Sequence, residues 1–238
     1  MSPKFNSSFN INYSHHSGLF INCNVTSKDE YYFSDNHDEK SEFYSLFNVD
    51  LGYEKNNFRI SLWGRNITDV RYLIQSHLHL DHSGGVGRFP NAIHIVQRLE
   101  YDYAFNPDWF AAPAYIRKDF DKPNIHWKYL NDKKTDFFDL YGDGVIKIIF
   151  SPGHSPGHQS ILVKLPKTGH ILLTIDAAYT VDHWENKCLP GLVTSSSEAA
   201  DSVKKLRKVA KETNAIIVTG HDPDAWATFK KAPMLYYD

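Results

Sequence analysis

Cysteine is scarce in this chain. Only Cys23 and Cys188 occur among 238 residues, too few for a disulfide scaffold or a thiolate zinc site. They read as free thiols in a reducing compartment. Charge of one sign is lacking too: 26 basic and 28 acidic residues leave a formal net charge of −2. That balance gives no basic footprint for nucleic acid. The short run Lys204-Lys205-Leu206-Arg207-Lys208 reads as a solvated helix face. No apolar run approaches the ~20 residues of a membrane helix. The start Met1-Ser2-Pro3-Lys4 has no signal-peptide core. These absences predict a cytoplasmic protein with no nucleic-acid and no membrane partner. There is no repeat and no low-complexity linker, and the length suffices to bury a core.

Histidine is abundant, with 13 copies. The run His77-Leu78-His79-Leu80-Asp81-His82 packs three imidazoles and a carboxylate into six residues. A core strand would not bury such groups together, because each polar atom needs a partner. A metal centre supplies partners for all of them. Imidazole with carboxylate suits zinc, and also iron, manganese or cobalt. Residues 71–76 read as a short buried strand, and Ser83-Gly84-Gly85 as a turn. On an extended backbone His77 and His79 point the same way. Asp81 and His82 leave the turn toward a second position, which suggests two metals side by side.

Three further apolar runs each end in a ligand type. Val145 to Phe150 leads into Ser151-Pro152-Gly153-His154-Ser155-Pro156-Gly157-His158. Proline and glycine there make a stiff turn that can hold an imidazole at a strand end. Leu172-Leu173-Thr174-Ile175 ends in Asp176, and Ala215 to Gly220 ends in His221. A lone His or Asp after a strand is usually a satisfied turn residue. Four such endings in one chain argue for a shared centre. His158 fits a role orienting the site and a structural role equally well.

These residues resemble the metallo-β-lactamase superfamily, and within it the N-acyl-homoserine lactonase and γ-butyrolactone lactonase group. The resemblance extends through residues 95–103, 107–112, 140–144, 175–180 and 220–223, and covers about 70–238. It implies an α/β fold, an αββα sandwich, possibly with an atypical or incomplete N-terminal half. It implies two Zn²⁺ ions: His77, His79 and His154 hold one, Asp81, His82 and His221 hold the other, and Asp176 bridges them. The implied activity is hydrolytic opening of γ-lactones, with N-acyl-homoserine lactones and γ-butyrolactone as leading substrates. Hydroxide formed at the metals attacks the ring carbonyl. Tyr179 matches the family position for a phenol that supports the oxyanion, and Asp81 the position for a proton shuttle. The small-molecule lactone is the partner, and a homodimer is possible. The alternatives are a glyoxalase-II-like thioester hydrolase and a non-catalytic fusion.

Residues 1–69 do not follow that family, which suggests a division into 1–69 and a lactonase domain at 70–238. Residues 47–54 and 58–63 alternate apolar and polar around a turn at 55–57, so they predict a β-hairpin. Residues 64–72 then resemble the C-terminal end of a TonB-dependent outer-membrane receptor. Phe5, Phe9, Ile11, Tyr13, Tyr31, Tyr32 and Phe33 have the same character. Three readings of this segment follow: a fused reading frame, a diverged lactonase half, and a working receptor fragment beside a degenerate zinc portion; the complete ligand set argues against the last.

The remaining elements follow from periodicity. Strands are predicted near 70–76, 92–97, 145–150, 159–165, 170–175 and 215–219, and helices near 83–88, 97–105, 107–120 and 195–213. Residues 131–144 read as a polar loop. The aromatics Tyr101, Tyr103, Phe105, Trp109, Phe110 and Tyr115 read mainly as core, with some free to line a substrate pocket.

Overall fold

A computed structural model describes residues 6–28, 31–32, 40–41, 44–55, 58–64, 70–89, 91–131, 137–186, 188–230 and 237–238. The chain divides into two compact units, Met1–Arg71 and Tyr72–Asp238.

In the first unit, β1 (Asn6–Ser14), β2 (Leu19–Lys28), β5 (Tyr44–Lys55) and β6 (Phe58–Gly64) form one antiparallel sheet in the order β1-β2-β5-β6. Two short strands, β3 (Tyr31–Tyr32) and β4 (Lys40–Ser41), pair with each other. The hairpin expected from alternation is present, with Lys55 opposite Phe58 and Val49 opposite Gly64. The alternation has a physical basis in side-chain ladders. Asn24 donates to Asn10 at 2.6 Å, and Asn48 donates to Asn24 at 2.9 Å, so amides cross three strands on one face. Phe9, Ile11 and Tyr13 occupy the other face of β1 and are exposed.

The second unit has four layers. β7 (Tyr72–Ile74), β8 (Ile93–Gln97) and β9 (His126–Leu130) make a parallel three-stranded sheet. β10 (Phe137–Asp139), β11 (Ile146–Phe150), β12 (Gln159–Leu165), β13 (Gly169–Ile175) and β14 (Ile216–Thr219) make a five-stranded sheet in that order, antiparallel except for the β13–β14 pair. Ile95, Leu130 and Ile148 pack with Ile74, Ile93 and Phe138 between the sheets. One residue along each strand, Val96 and Ile149 turn to the outer faces. Val96 meets α1 (Arg98–Phe105) and the short α2 (Arg117–Phe120). Ile149, Leu162 and Leu172 meet α3 (Val181–Asn186) and α4 (Ser196–Thr213) through Trp184 and Leu206. A last helix, α5 (Pro223–Thr228), follows β14. This is the α-β-β-α order that the resemblance implied.

α4 forms where its cap and stripe predict. The Ser195 hydroxyl accepts from the Glu198 N–H, and Val203 and Leu206 are buried on one face. Asn214 ends the helix in the left-handed region. The helix expected at 107–120 is not one helix. Pro107 precedes it, and Pro113 allows only a 3₁₀ turn at Ala112–Ala114 before α2. The helix expected at 83–88 shrinks to the 3₁₀ turn Ser83–Gly85, because two glycines weaken it. The loop expected at 131–144 contains β10, and its residues 132–136 lie outside the described residues. Phe5, Phe33 and residues 65–69 of the receptor-like segment lie outside them as well. Among the described residues no helix is long and apolar enough to cross a membrane.

Leu206 is fully buried where α4 meets the five-stranded sheet. Leu206→Ala is predicted to cost about 2–5 kcal/mol in urea unfolding, through lost transfer energy and an unfilled cavity. Trp109→Ala, at a residue 88% exposed, is predicted to leave the unfolding midpoint nearly unchanged.

Candidate metal centre

Every candidate ligand leaves the end of a strand in the second unit. His77, His79, Asp81 and His82 follow β7, and His154 follows β11. Asp176 follows β13 and His221 follows β14. The turn after β7 is closed by the N–H groups of His82 and Ser83, which both donate to the His79 carbonyl. The loop bearing His154 is pressed against the start of α4. Gly153 has φ +127°, and a Cβ there would stand 2.1 Å from the Ala199 nitrogen, so only glycine fits. Thr194 and Ser195 donate backbone N–H groups to the Gly153 carbonyl, and the Ser202 hydroxyl donates to Pro152.

Asp176 is aimed by backbone strain. Ile175, immediately before it, is β-branched yet has φ +51°, a left-handed conformation that such residues avoid. The β13–β14 register shifts at the same point. His158 then holds the Asp176 backbone. Its Nε2 accepts the Asp176 N–H at 3.1 Å, while its Nδ1 donates to the Ser151 carbonyl at 3.0 Å. These partners require the neutral Nδ1–H tautomer. Burial, with His154 beside it, pushes the His158 pKa down to about 3 and keeps the ring neutral. Of the two roles open to His158 in the sequence, the observed contacts are with the backbone that carries Asp176.

The structure brings all seven candidate ligands together in two groups. His77, His79 and His154 form the first, and Asp81, His82, Asp176 and His221 the second; within each, one ligand atom per residue lies within 4.8 Å of the others. His154 Nε2 is 3.2 Å from His77 Nε2 and 3.0 Å from His79 Nδ1. His154 Nδ1 donates to the Leu192 carbonyl at 2.8 Å, and His77 Nδ1 lies 3.2 Å from the Ser76 hydroxyl. The carbonyl fixes His154 as the Nδ1–H tautomer, so its Nε2 lone pair is turned toward His77 and His79. Asp176 stands between the groups. Its Oδ2 is 3.2 Å from His154 Nε2 and 3.7 Å from His77 Nε2. Its Oδ1 is 3.4 Å from His82 Nε2 and 3.3 Å from His221 Nε2. Asp81 Oδ2 closes the second group at 3.3 Å from His82 and 3.4 Å from His221.

The electrostatics differ between the groups. Burial pushes His77, His79 and His154 below the usual imidazole pKa, His79 to about 3. Burial opposes charge on His82 as well, but the Asp176 and Asp81 carboxylates outweigh it and raise its pKa. Burial disfavours charge on Asp176, yet the surrounding histidines hold its pKa down to about 2. His82 Nε2 and Asp176 Oδ1 are buried without a completed hydrogen bond, although they face each other. Neutral nitrogen lone pairs and an ionised carboxylate converging on shared points are a donor set for divalent cations. The residues present therefore fit two metal ions.

Tyr179 lies at the rim. Its hydroxyl is 3.4 Å from His154 Nδ1, and its ring meets the His221 ring at 5.0 Å. Burial, with Asp176 and Asp81 nearby, pushes the phenol up to about 12, so it keeps its proton at neutral pH. Among the aromatics, Tyr101, Tyr103 and Phe105 pack on the core and Tyr115 is buried in a T-shaped contact with His79. Trp109 and Phe110 are exposed. The sequence pattern did not reveal Ser151 or the Leu192 carbonyl, whose roles come from tertiary contact. Nor did it reveal the buried chain in which Gln97 donates to Gln159, and Gln159 to the Gln75 carbonyl, linking the two sheets beside the site.

Residues 45–221 match the Metallo-beta-lactamase superfamily. The chain belongs to that superfamily. Over 178 residues it is 61% identical to the N-acyl homoserine lactonase AttM of Rhizobium radiobacter, a match spanning 75% of this chain and 68% of that one. It is 38% identical over 154 residues to an N-acyl homoserine lactonase of a Bacillus species, spanning 65% of this chain and 56% of that one. The solved structure of a quorum-quenching N-acyl homoserine lactone hydrolase is similar at a TM-score of 0.62 and 26% identity, covering 99% of each chain.

The receptor likeness of residues 1–69 is not borne out. The superfamily match begins at residue 45, inside that segment, and the solved hydrolase aligns across 99% of the chain. Alternation marks any antiparallel sheet with one polar face, so it does not single out a membrane barrel.

The two groups are predicted to differ in how pH governs metal uptake. The Asp176 and Asp81 carboxylates raise the His82 pKa against the cost of burial, so in the metal-free protein this ring holds its proton to higher pH than an ordinary imidazole. Its contribution to metal-free stability is full below the unfolded pKa and is lost as pH rises through the folded one. A metal entering the second group must displace that proton. As pH rises toward the raised His82 pKa, affinity there should rise with it, approaching tenfold per unit below that pKa. Affinity at the first group should stay nearly flat. Chelator-competition titrations at several pH values check this; parallel slopes would refute it.

Proposed function

We propose that the protein is a dinuclear zinc hydrolase that opens the ester ring of γ-lactones. N-acyl homoserine lactones are the leading substrates, with γ-butyrolactone beside them. The observation that carries this reading is the Asp176 carboxylate standing between the imidazole groups, Oδ2 toward His77 and His154, Oδ1 toward His82, and His221 3.3 Å from each oxygen. The 61% identity to a protein named as an N-acyl homoserine lactonase supports the substrate class. His77, His79 and His154 would hold one ion, Asp81, His82 and His221 the other, and Asp176 both. Nitrogen and oxygen ligands without thiolate suit zinc.

Two divalent ions bound there would supply a water of lowered pKa and polarise an ester carbonyl. The protein's own residues do the rest. Asp81 and His221 are 45% and 42% exposed at their side chains, whereas the first group is buried, so the substrate reaches the centre from the side of Asp81 and His221. Tyr179, protonated and at the rim, donates to the oxygen on which negative charge develops. Asp81, on the open side, takes the proton released by the attacking water and passes it to the leaving alkoxide of the opened ring.

Within this proposal residues 70–238 are the lactonase domain and residues 1–69 an atypical β-rich segment. The proposal extends to a cytoplasmic location, consistent with free Cys23 and Cys188, and to a homodimer, for which sedimentation is the measurement.

The test is elemental analysis of the purified full-length chain, with hydrolysis of γ-butyrolactone, an acyl-homoserine lactone and a glutathione thioester followed on the same sample. About two zinc ions per chain with lactone turnover are expected. Turnover of the thioester alone would favour a thioesterase, and little metal with no turnover would sink the reading. Asp176→Ala should lose metal and activity together. Tyr179→Phe should keep its metal while kcat falls roughly 10²–10³-fold, the loss seen when one oxyanion donor is removed.

A further inference from the structure

One buried carboxylate outside the ligand set touches both principal ligand loops. Glu100 lies in the first turn of α1 and is fully buried. Its Oε1 accepts the Leu78 backbone N–H at 2.9 Å and the Tyr115 hydroxyl at 3.0 Å. Its Oε2 accepts the Ser155 hydroxyl at 2.6 Å and the Gly157 backbone N–H at 3.1 Å. Leu78 lies between His77 and His79. Ser155 follows His154, and Gly157 precedes His158. Tyr115, held by the same oxygen as Leu78, sets its ring against His79 at 4.6 Å. The fit is close: a Cβ on Gly157 would stand 2.3 Å from the Glu100 nitrogen and 2.4 Å from its Cβ.

A buried carboxylate is tolerated when its lone pairs are filled, and four donors fill the four sites of this one. Each loop could close its own N–H groups by an ordinary turn. Here the two loops instead share one carboxyl group, so any movement of one relative to the other lengthens a charge-assisted hydrogen bond. The imidazoles set by that shared group are those of His77, His79 and His154, whose nitrogens meet at 3.0–3.2 Å.

We infer that Glu100 is a positioning residue for the metal centre, its carboxylate tying the His77–His79 loop to the His154 loop and setting the separation of the three imidazoles. The inference rests on the metal-binding part of the proposed function. It assigns Glu100 no contact with substrate. An amide at this position offers an acceptor on one side only. Whichever way it turns, its NH₂ faces two donors. An aspartate is one methylene too short to reach both loops.

The test compares the full-length parent with Glu100→Gln, Glu100→Asp and a control, Asp102→Asn. Asp102 lies on the same helix, in an exposed pair with Arg98. Metal-free protein is titrated with Co²⁺, the visible spectrum is recorded, and Kd is measured by chelator competition. Thermal unfolding of the metal-free proteins is measured in parallel. Glu100→Gln is expected to weaken metal binding roughly 10–100-fold, the range for lost supporting contacts around a metal site, and to change the cobalt spectrum. Glu100→Asp should not rescue either, and Asp102→Asn should match the parent. A folded Glu100→Gln with a lower melting temperature but the parent's cobalt Kd and spectrum would overturn the inference, since that is what a purely structural glutamate predicts. If Glu100→Gln does not fold, Ser155→Ala and Tyr115→Phe each remove one donor. Each is then expected to weaken cobalt binding roughly 3–10-fold, the worth of one hydrogen bond, and no change in either overturns the inference. A parent that binds no metal overturns the proposed function and this inference together; a parent that binds two, matched by Glu100→Gln, overturns the inference alone.

Discussion

Unshared electron pairs crowded at one place govern this structure. Burial keeps His77, His79 and His154 neutral, and their nitrogens meet around His154 Nε2, which is an acceptor because its Nδ1 donates to the Leu192 carbonyl. One acceptor cannot satisfy both neighbours, whereas a cation in the gap can take a lone pair from each ring. Asp176 brings negative charge into the same space and stays ionised. Nothing in the local turns favours this crowding. It is imposed by the two sheets, whose strand ends deliver the groups, and by loops that cannot relax away. Gly153 is locked against Ala199, and the Gln97–Gln159–Gln75 chain fastens the sheets next to the loops. The fold acts as a frame that holds an unfavourable donor cluster ready for a favourable ion.

The same frame stores strain where it is useful. Ile175 adopts a backbone conformation that a β-branched residue avoids, and the strand register slips beside it. The consequence is that Asp176 turns back between the two imidazole groups instead of continuing the strand. His158 secures that turn by accepting the Asp176 N–H, and it is itself pinned through Ser151. The strain is thus opposed by a buried hydrogen-bonded chain.

Much of the site was legible in the sequence, because metal ligands are chemically conspicuous and strand ends are marked by apolar runs. His77, His79, Asp81, His82, His154, Asp176 and His221 could be gathered by type and position alone, and the structure places them in two adjoining groups. The strands of the second unit were legible for a related reason: each buries a continuous or alternating apolar face. What was not legible is whatever depends on contact across the fold. Glu100 looks like any charged residue in an amphipathic helix until Leu78 and Gly157 close on it. Leu192 contributes only its carbonyl, to which residue type gives no clue. Residues 107–120 failed as a helix because Pro113 interrupts it; of its aromatics Tyr115 and Phe120 pack in the core, while Trp109 and Phe110 are exposed.

The first unit shows the limit of periodicity from the other direction. Its strands alternate cleanly, and the structure explains the alternation by an asparagine ladder on one face and apolar side chains on the other. A membrane barrel strand meets the same demand, with lipid on one side and water on the other. Period two therefore reports that the two faces see different surroundings; it does not report what those surroundings are. The ligand run His77 to His82 escapes this ambiguity because its information lies in chemistry and not in period. Imidazole beside imidazole beside carboxylate has few uses other than a cation, whereas an apolar residue at every second position has many. The part of the chain read through chemistry matched its family, whereas the receptor likeness, read from alternation and residues 64–72, is not borne out.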